Sequence, residues 1–130
     1  MPPTDRPSRI LVVDAEPAVR ALIVRALEEV GYEVVAVGDG EAGLTAAKTA
    51  GTSFDLVLTN SYMPHMSGEQ LIGHLRRLFP HLPILHLDDL ARPIGPHAEA
   101  VPTLRKPFSI GALLESVALA MAERPMRREA

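Results

Sequence analysis

The sequence predicts an α/β fold in which a parallel sheet carries helices on both faces. Three observations point there. Short apolar runs alternate along the chain with segments of helical period, the pattern of consecutive strand and helix units. The runs at 10–13, 56–59 and 84–87 are almost wholly apolar instead of alternating, as expected of strands covered on both sides. The 130 residues contain no internal repeat or low-complexity tract, and this length suits one domain with a single sheet.

Each element has its own signal. Residues 10–13, Ile-Leu-Val-Val, form the first strand, and Asp14 marks its carboxyl end. Pro17 is tolerated in a first helical turn. Val19, Leu22, Ile23, Ala26, Leu27 and Val30 then recur at helical spacing until Gly31 supplies a stop. Residues 33–37 read as a second strand, and Asp39 can cap a helix running through Ala42, Leu44, Ala46 and Ala47 to Gly51. The third strand is 56–59. A helix over 68–78 turns Leu71, Ile72, Leu75 and Leu78 inward and ends before Pro80, and 84–87 makes the fourth strand. From 89 to 102 the pattern weakens, because Pro93, Gly95, Pro96 and Pro102 leave room for one helical turn at most, so a fourth helix is expected to be short or missing. Residues 103–105 make a fifth strand, and Ser109 caps a last helix with Ile110, Leu113, Leu114, Val117, Leu119 and Met121. Residues 1–8 and 125–130 are expected to be a disordered leader and tail around a domain at 9–124.

Composition removes several classes of function. A net charge of -3 leaves no basic footprint for nucleic acid. The absence of cysteine excludes disulfides and thiolate chemistry. No apolar stretch resembles a signal peptide or spans a bilayer, so a cytoplasmic protein without membrane contact is expected.

The segment at 54–68, Phe-Asp-Leu-Val-Leu-Thr-Asn-Ser-Tyr-Met-Pro-His-Met-Ser-Gly, brings Asn60 to the end of a strand before a Met-Pro turn. It resembles the phosphoacceptor loop of response-regulator receiver domains, which usually runs Asp-Leu-Val-Leu-Leu-Asp-x-x-Met-Pro-x-Met-x-Gly. Three further segments match in order: Ile-Leu-Val-Val-Asp-Ala-Glu-Pro at 10–17, Pro-Ile-Leu-His-Leu-Asp-Asp at 83–89 and Leu-Arg-Lys-Pro-Phe at 104–108. The joint match covers nearly the whole chain, 9–124, and is far more specific than any one motif. It implies a flavodoxin-like five-stranded parallel sheet in the order 2-1-3-4-5, with the working site at the carboxyl ends of the strands.

The resemblance assigns a pocket to Asp14, Ala15, Asn60, Asp88 and Lys106, and within it the chain departs from the family. Asn60 stands at the aspartate that accepts phosphate from a histidine kinase, and a carboxamide is a poor nucleophile. Ala15 stands at an acidic metal ligand, and Glu16 is expected to point elsewhere. Asp88 stands at the switch hydroxyl and Thr103 at the switch aromatic. Asp14 and Lys106 match, and the Lys106-Pro107 bond falls where the family is often cis. The resemblance therefore implies no catalytic residue, no cofactor and weak or absent magnesium binding, since that ion usually takes one or two carboxylates with waters and phosphate.

The residues also admit plainer roles. Asn60 is a good turn-capping residue, Met63 and Met66 are expected to pack beneath the loop, and Lys106 is placed to pair with Asp88. The five histidines, at 65, 74, 81, 86 and 97, match no known ligand spacing even with His65 and His86 near Asp88, so no metal site is expected. Arg76-Arg77 and Arg127-Arg128 read as solvated charge.

The expected function is a degenerate receiver: not an enzyme, but a phosphorylation-independent interaction module of bacterial two-component signalling. Its partners would be a histidine kinase, another regulator or an output domain, with no direct nucleic acid. The Pro/Gly-rich stretch at 91–102 departs from the face that receivers commonly use to dimerise, which leaves a homodimer through another face open and suggests a docking surface at 92–101. The competing readings are a phosphoacceptor that uses Asp14, Asp55 or Asp88, and a small-anion site beside Lys106.

Overall fold

A computed structural model describes residues 7–50, 53–89 and 101–122. The elements follow in the order β1 (Arg9–Val13), α1 (Pro17–Glu29), β2 (Glu33–Val37), α2 (Gly40–Ala50), β3 (Leu56–Asn60), α3 (Gly68–Leu78), β4 (Ile84–Asp89), β5 (Thr103–Lys106) and α4 (Ile110–Ala122). All strand pairs are parallel, and the sheet order is β2-β1-β3-β4-β5, the doubly wound arrangement that the sequence implies. Four strands run further than the sequence suggests, β1 starting at Arg9 and β5 reaching Lys106, because ladder hydrogen bonds do not require apolar side chains. β3 includes Asn60, and β4 includes Asp88 and Asp89.

Alternation along the strands divides the interior in two. Ile10, Val12, Leu56, Leu58, Leu85 and Leu87 face α1 and α4, where they pack on Ile23, Leu27, Leu113 and Val117. Leu11, Val13, Val57 and Ile84 face α2 and α3, where they meet Ala47, Leu71, Ile72 and Leu75. The helical stripes are narrower than their periodicity suggests. Leu78, expected to face inward, is exposed, as are Leu22, Val30, Ile110 and Leu119, which fit the same helical periods. Leu78 closes α3, and Leu22 sits one residue, about 100° of rotation, before buried Ile23.

The helix ends are set by local chemistry. The N–H of Ala42 donates to Asp39 Oδ1 at 2.7 Å and that of Ala112 to Ser109 Oγ at 3.0 Å, so both expected caps form. Ser67 and Gln70 form a reciprocal capping box at the start of α3, matching the Ser-x-x-Gln spacing of residues 67–70. At the end of α1, Gly31 has φ of 102° while the N–H groups of Gly31 and Tyr32 return to Glu28 and Leu27. That is a Schellman ending, in which glycine avoids the Cβ penalty of the left-handed region.

The question of a fourth helix, the docking stretch at 92–101 and the outermost leader and tail lie outside the described residues. Among those described, no helix is long and apolar enough to cross a membrane.

Leu58 is fully buried between α1 and α4. Leu58→Ala is expected to lower unfolding stability by about 2–5 kcal/mol, read as a lower urea midpoint with an unchanged slope.

Candidate functional site

The carboxyl ends of β1, β3 and β5 bring Asp14, Asn60 and Lys106 together. The Lys106 ammonium donates to Asn60 Oδ1 at 2.9 Å and lies 3.7 Å from Asp14 Oδ2. Asn60 also uses its other half: Nδ2 donates to the carbonyl of Tyr62 at 3.0 Å, so the amide holds the turn as well as the lysine. Asp14 is fully buried and accepts from the N–H of Glu16 at 2.9 Å, while its carbonyl accepts from Arg20 at 2.7 Å. A buried carboxylate is costly without a counter-charge, and among the described residues Lys106 is the cation that supplies one. The three groups therefore carry one negative, one neutral and one positive charge.

The remaining assigned residues are arranged differently. Ala15 packs its methyl group against the cluster on the α2 and α3 side, and Glu16 is exposed at the N-cap of α1. Thr103 donates to the carbonyl of Val101 at 3.4 Å. Asp88 does not pair with Lys106 as expected. Asn60 is in register with Leu87, so the next residue, Asp88, projects to the opposite face, beside His86. Because β4 continues to Asp89, Asp88 is held to that strand alternation instead of turning freely into the pocket.

On that opposite face Asp88 meets His86 and Glu69, whose candidate ligand atoms all lie within 4.8 Å of one another. His86 Nε2 is 3.8 Å from Glu69 Oε2, and the Ser61 hydroxyl donates to the same oxygen at 2.6 Å. Glu69 and Ser61 were not singled out from the sequence. Their available signals were an acid in the first turn of α3 and a hydroxyl next to Asn60.

The loop between β3 and α3 shapes both groups. Met63 is buried and Met66 half-buried against the α3-side core, as expected from sequence. A tight turn returns the N–H of Met66 to the carbonyl of Pro64 at 2.8 Å, with His65 at φ of 71°. Gly68 closes the loop: its N–H donates to the Ser61 carbonyl at 2.8 Å, and a Cβ there would overlap the carbonyl oxygen of Asn60. The Lys106-Pro107 bond is cis.

The response regulator receiver domain is the family whose model matches, over residues 10–118. The response regulator protein FleR of Pseudomonas aeruginosa is 36% identical over 119 residues, which is 85% of this chain and 24% of that protein. The transcriptional regulatory protein TcrA of Mycobacterium tuberculosis is 32% identical over 124 residues, 92% of this chain and 48% of that protein. The chain thus spans between a quarter and a half of the length of these two curated relatives. A crystal structure of a response regulator receiver domain protein from Clostridium thermocellum superposes with a TM-score of 0.81 at 27% identity, covering 88% of this chain and 94% of the other.

Gly68→Ala is expected to push the loop away from Asn60 and to cost about 1–3 kcal/mol, measured by urea unfolding. Amide exchange should show the accompanying loss of protection at residues 61–68.

Proposed function

The chain belongs to the response regulator receiver domain family, and on that premise we propose that it is a phosphorylation-independent interaction module of two-component signalling. The observation that carries this reading is the 2.9 Å hydrogen bond from Lys106 to the neutral oxygen of Asn60. Asn60 stands where the family resemblance places the attacking carboxylate. An acyl phosphate forms when a carboxylate oxygen attacks phosphorus, and a carboxamide offers no comparable nucleophile, because its nitrogen lone pair is delocalised into the carbonyl.

The donor set also fits magnesium poorly. Asp14 contributes one carboxylate already paired with Lys106, Asn60 contributes an oxygen already accepting from the same lysine, and position 15 contributes a methyl group. Magnesium takes hard oxygens in near-octahedral geometry, usually one or two carboxylates with waters and phosphate, and the one carboxylate here is already engaged. The same lysine contacts argue against an anion site, since an incoming anion would have to displace both Asn60 and Asp14. Of the other acids considered as acceptors, Asp55 lies at the amino end of β3, opposite Asn60, where it accepts from the Arg9 N–H at 2.8 Å.

Function then rests on binding. A histidine kinase, another regulator or an output domain is the kind of partner that the family implies, and a cytoplasmic setting suits it. Such a partner shifts the module between conformations only as far as its affinities for them differ.

Incubation with acetyl phosphate and magnesium is expected to leave the intact mass unchanged. A stoichiometric phosphoryl adduct would overturn the proposal, and mapping it to Asp14 or Asp88 would identify the alternative acceptor. The double substitution Ala15→Asp with Asn60→Asp is expected to raise magnesium affinity roughly tenfold or more by calorimetric titration. An unchanged affinity would show that missing carboxylates are not what limits metal binding.

A further inference from the structure

We infer that Glu69, His86 and Asp88 form a binding site for one divalent transition-metal ion of the zinc class, separate from the Asp14, Asn60 and Lys106 pocket. The inference does not rest on phosphorylation independence. His86 and Asp88 are two residues apart on β4, so both project from the same face of the sheet, and Glu69 in the first turn of α3 meets them there. One imidazole nitrogen and two carboxylate oxygens converge within 4.8 Å. The 3.8 Å between His86 Nε2 and Glu69 Oε2 exceeds a hydrogen bond of about 2.7–3.2 Å. Two ligands that share a tetrahedral ion at about 2.0–2.1 Å lie roughly 3.3–3.4 Å apart, so a side-chain shift of about half an ångström would close the pair on an ion.

The surroundings support ligation. His86 and Asp88 are fully buried, and a poorly solvated setting strengthens the attraction between carboxylate and cation. The Glu69 side chain is 17% exposed and gives the ion an approach from solvent. Ser61 donates to Glu69 Oε2 at 2.6 Å, the outer-sphere support that orients ligating carboxylates. A mixed set of one nitrogen and two oxygens suits zinc or cobalt better than magnesium, which prefers oxygen alone. Three protein ligands leave a fourth position for water. A bound ion would fasten β4 to the start of α3 and, through Ser61, to the loop that follows Asn60.

Cobalt(II) serves as the probe: titration of the intact chain, followed by its visible absorption and by competition with zinc, is expected to give one site per chain. Glu69→Gln and His86→Asn should each weaken it at least tenfold, whereas His65→Asn combined with His81→Asn, on exposed residues, should leave it unchanged. Should His86→Asn fail to fold, the partly exposed Glu69→Gln decides alone. Absence of a one-to-one site, undiminished binding by Glu69→Gln, or loss of binding in the His65 and His81 variant would each overturn the inference.

Discussion

The ammonium of Lys106 fastens three strand ends, and the polar end of the sheet depends on it. In the order β2-β1-β3-β4-β5, the lysine leaves the edge strand and spans β4 to reach Asn60 on β3 and Asp14 after β1. Only a long, flexible aliphatic stem with a compact charge at its tip can do this. Asp14 is buried at the mouth of the apolar core, where an uncompensated carboxylate would be destabilising. The same group thus opposes a buried charge and holds Asn60 at the end of β3.

Asn60 differs from an aspartate in more than charge. Its oxygen accepts from Lys106 while its nitrogen donates to the Tyr62 carbonyl, so both halves of the amide are engaged. An ionised carboxylate has acceptors only and would face that carbonyl with a second acceptor. The amide therefore holds the turn and anchors Lys106 through one side chain.

The two polar groups lie close in space yet belong to opposite faces of the sheet. Asp14, Asn60 and Lys106 gather at the strand ends on one side of the register, while His86 and Asp88 point toward α3 and Glu69. Residues 60 and 61 connect them, since Ser61 bonds Glu69 directly after Asn60 bonds Lys106. Adjacent residues of one segment thus take part in both groups.

The apolar runs, the helical periods and the turn residues determined the order of elements, because burial on both faces and helix capping leave local marks along a chain. Asp39, Ser109 and Gly31 were legible for that reason, and four ordered segments were enough to place Asp14, Asn60 and Lys106 at strand ends. Tertiary structure decided which side chains meet. Strand β4 outlasts its apolar run, and that extension turned Asp88 away from the lysine and toward His86 and Glu69. Leu22, Val30 and Leu78 fit a helical period yet remain exposed, because the width of a buried stripe is set by the neighbour it packs on. Periodicity resides in the local sequence, whereas the partner of each side chain depends on register and on chain brought from far away, which no local pattern encodes.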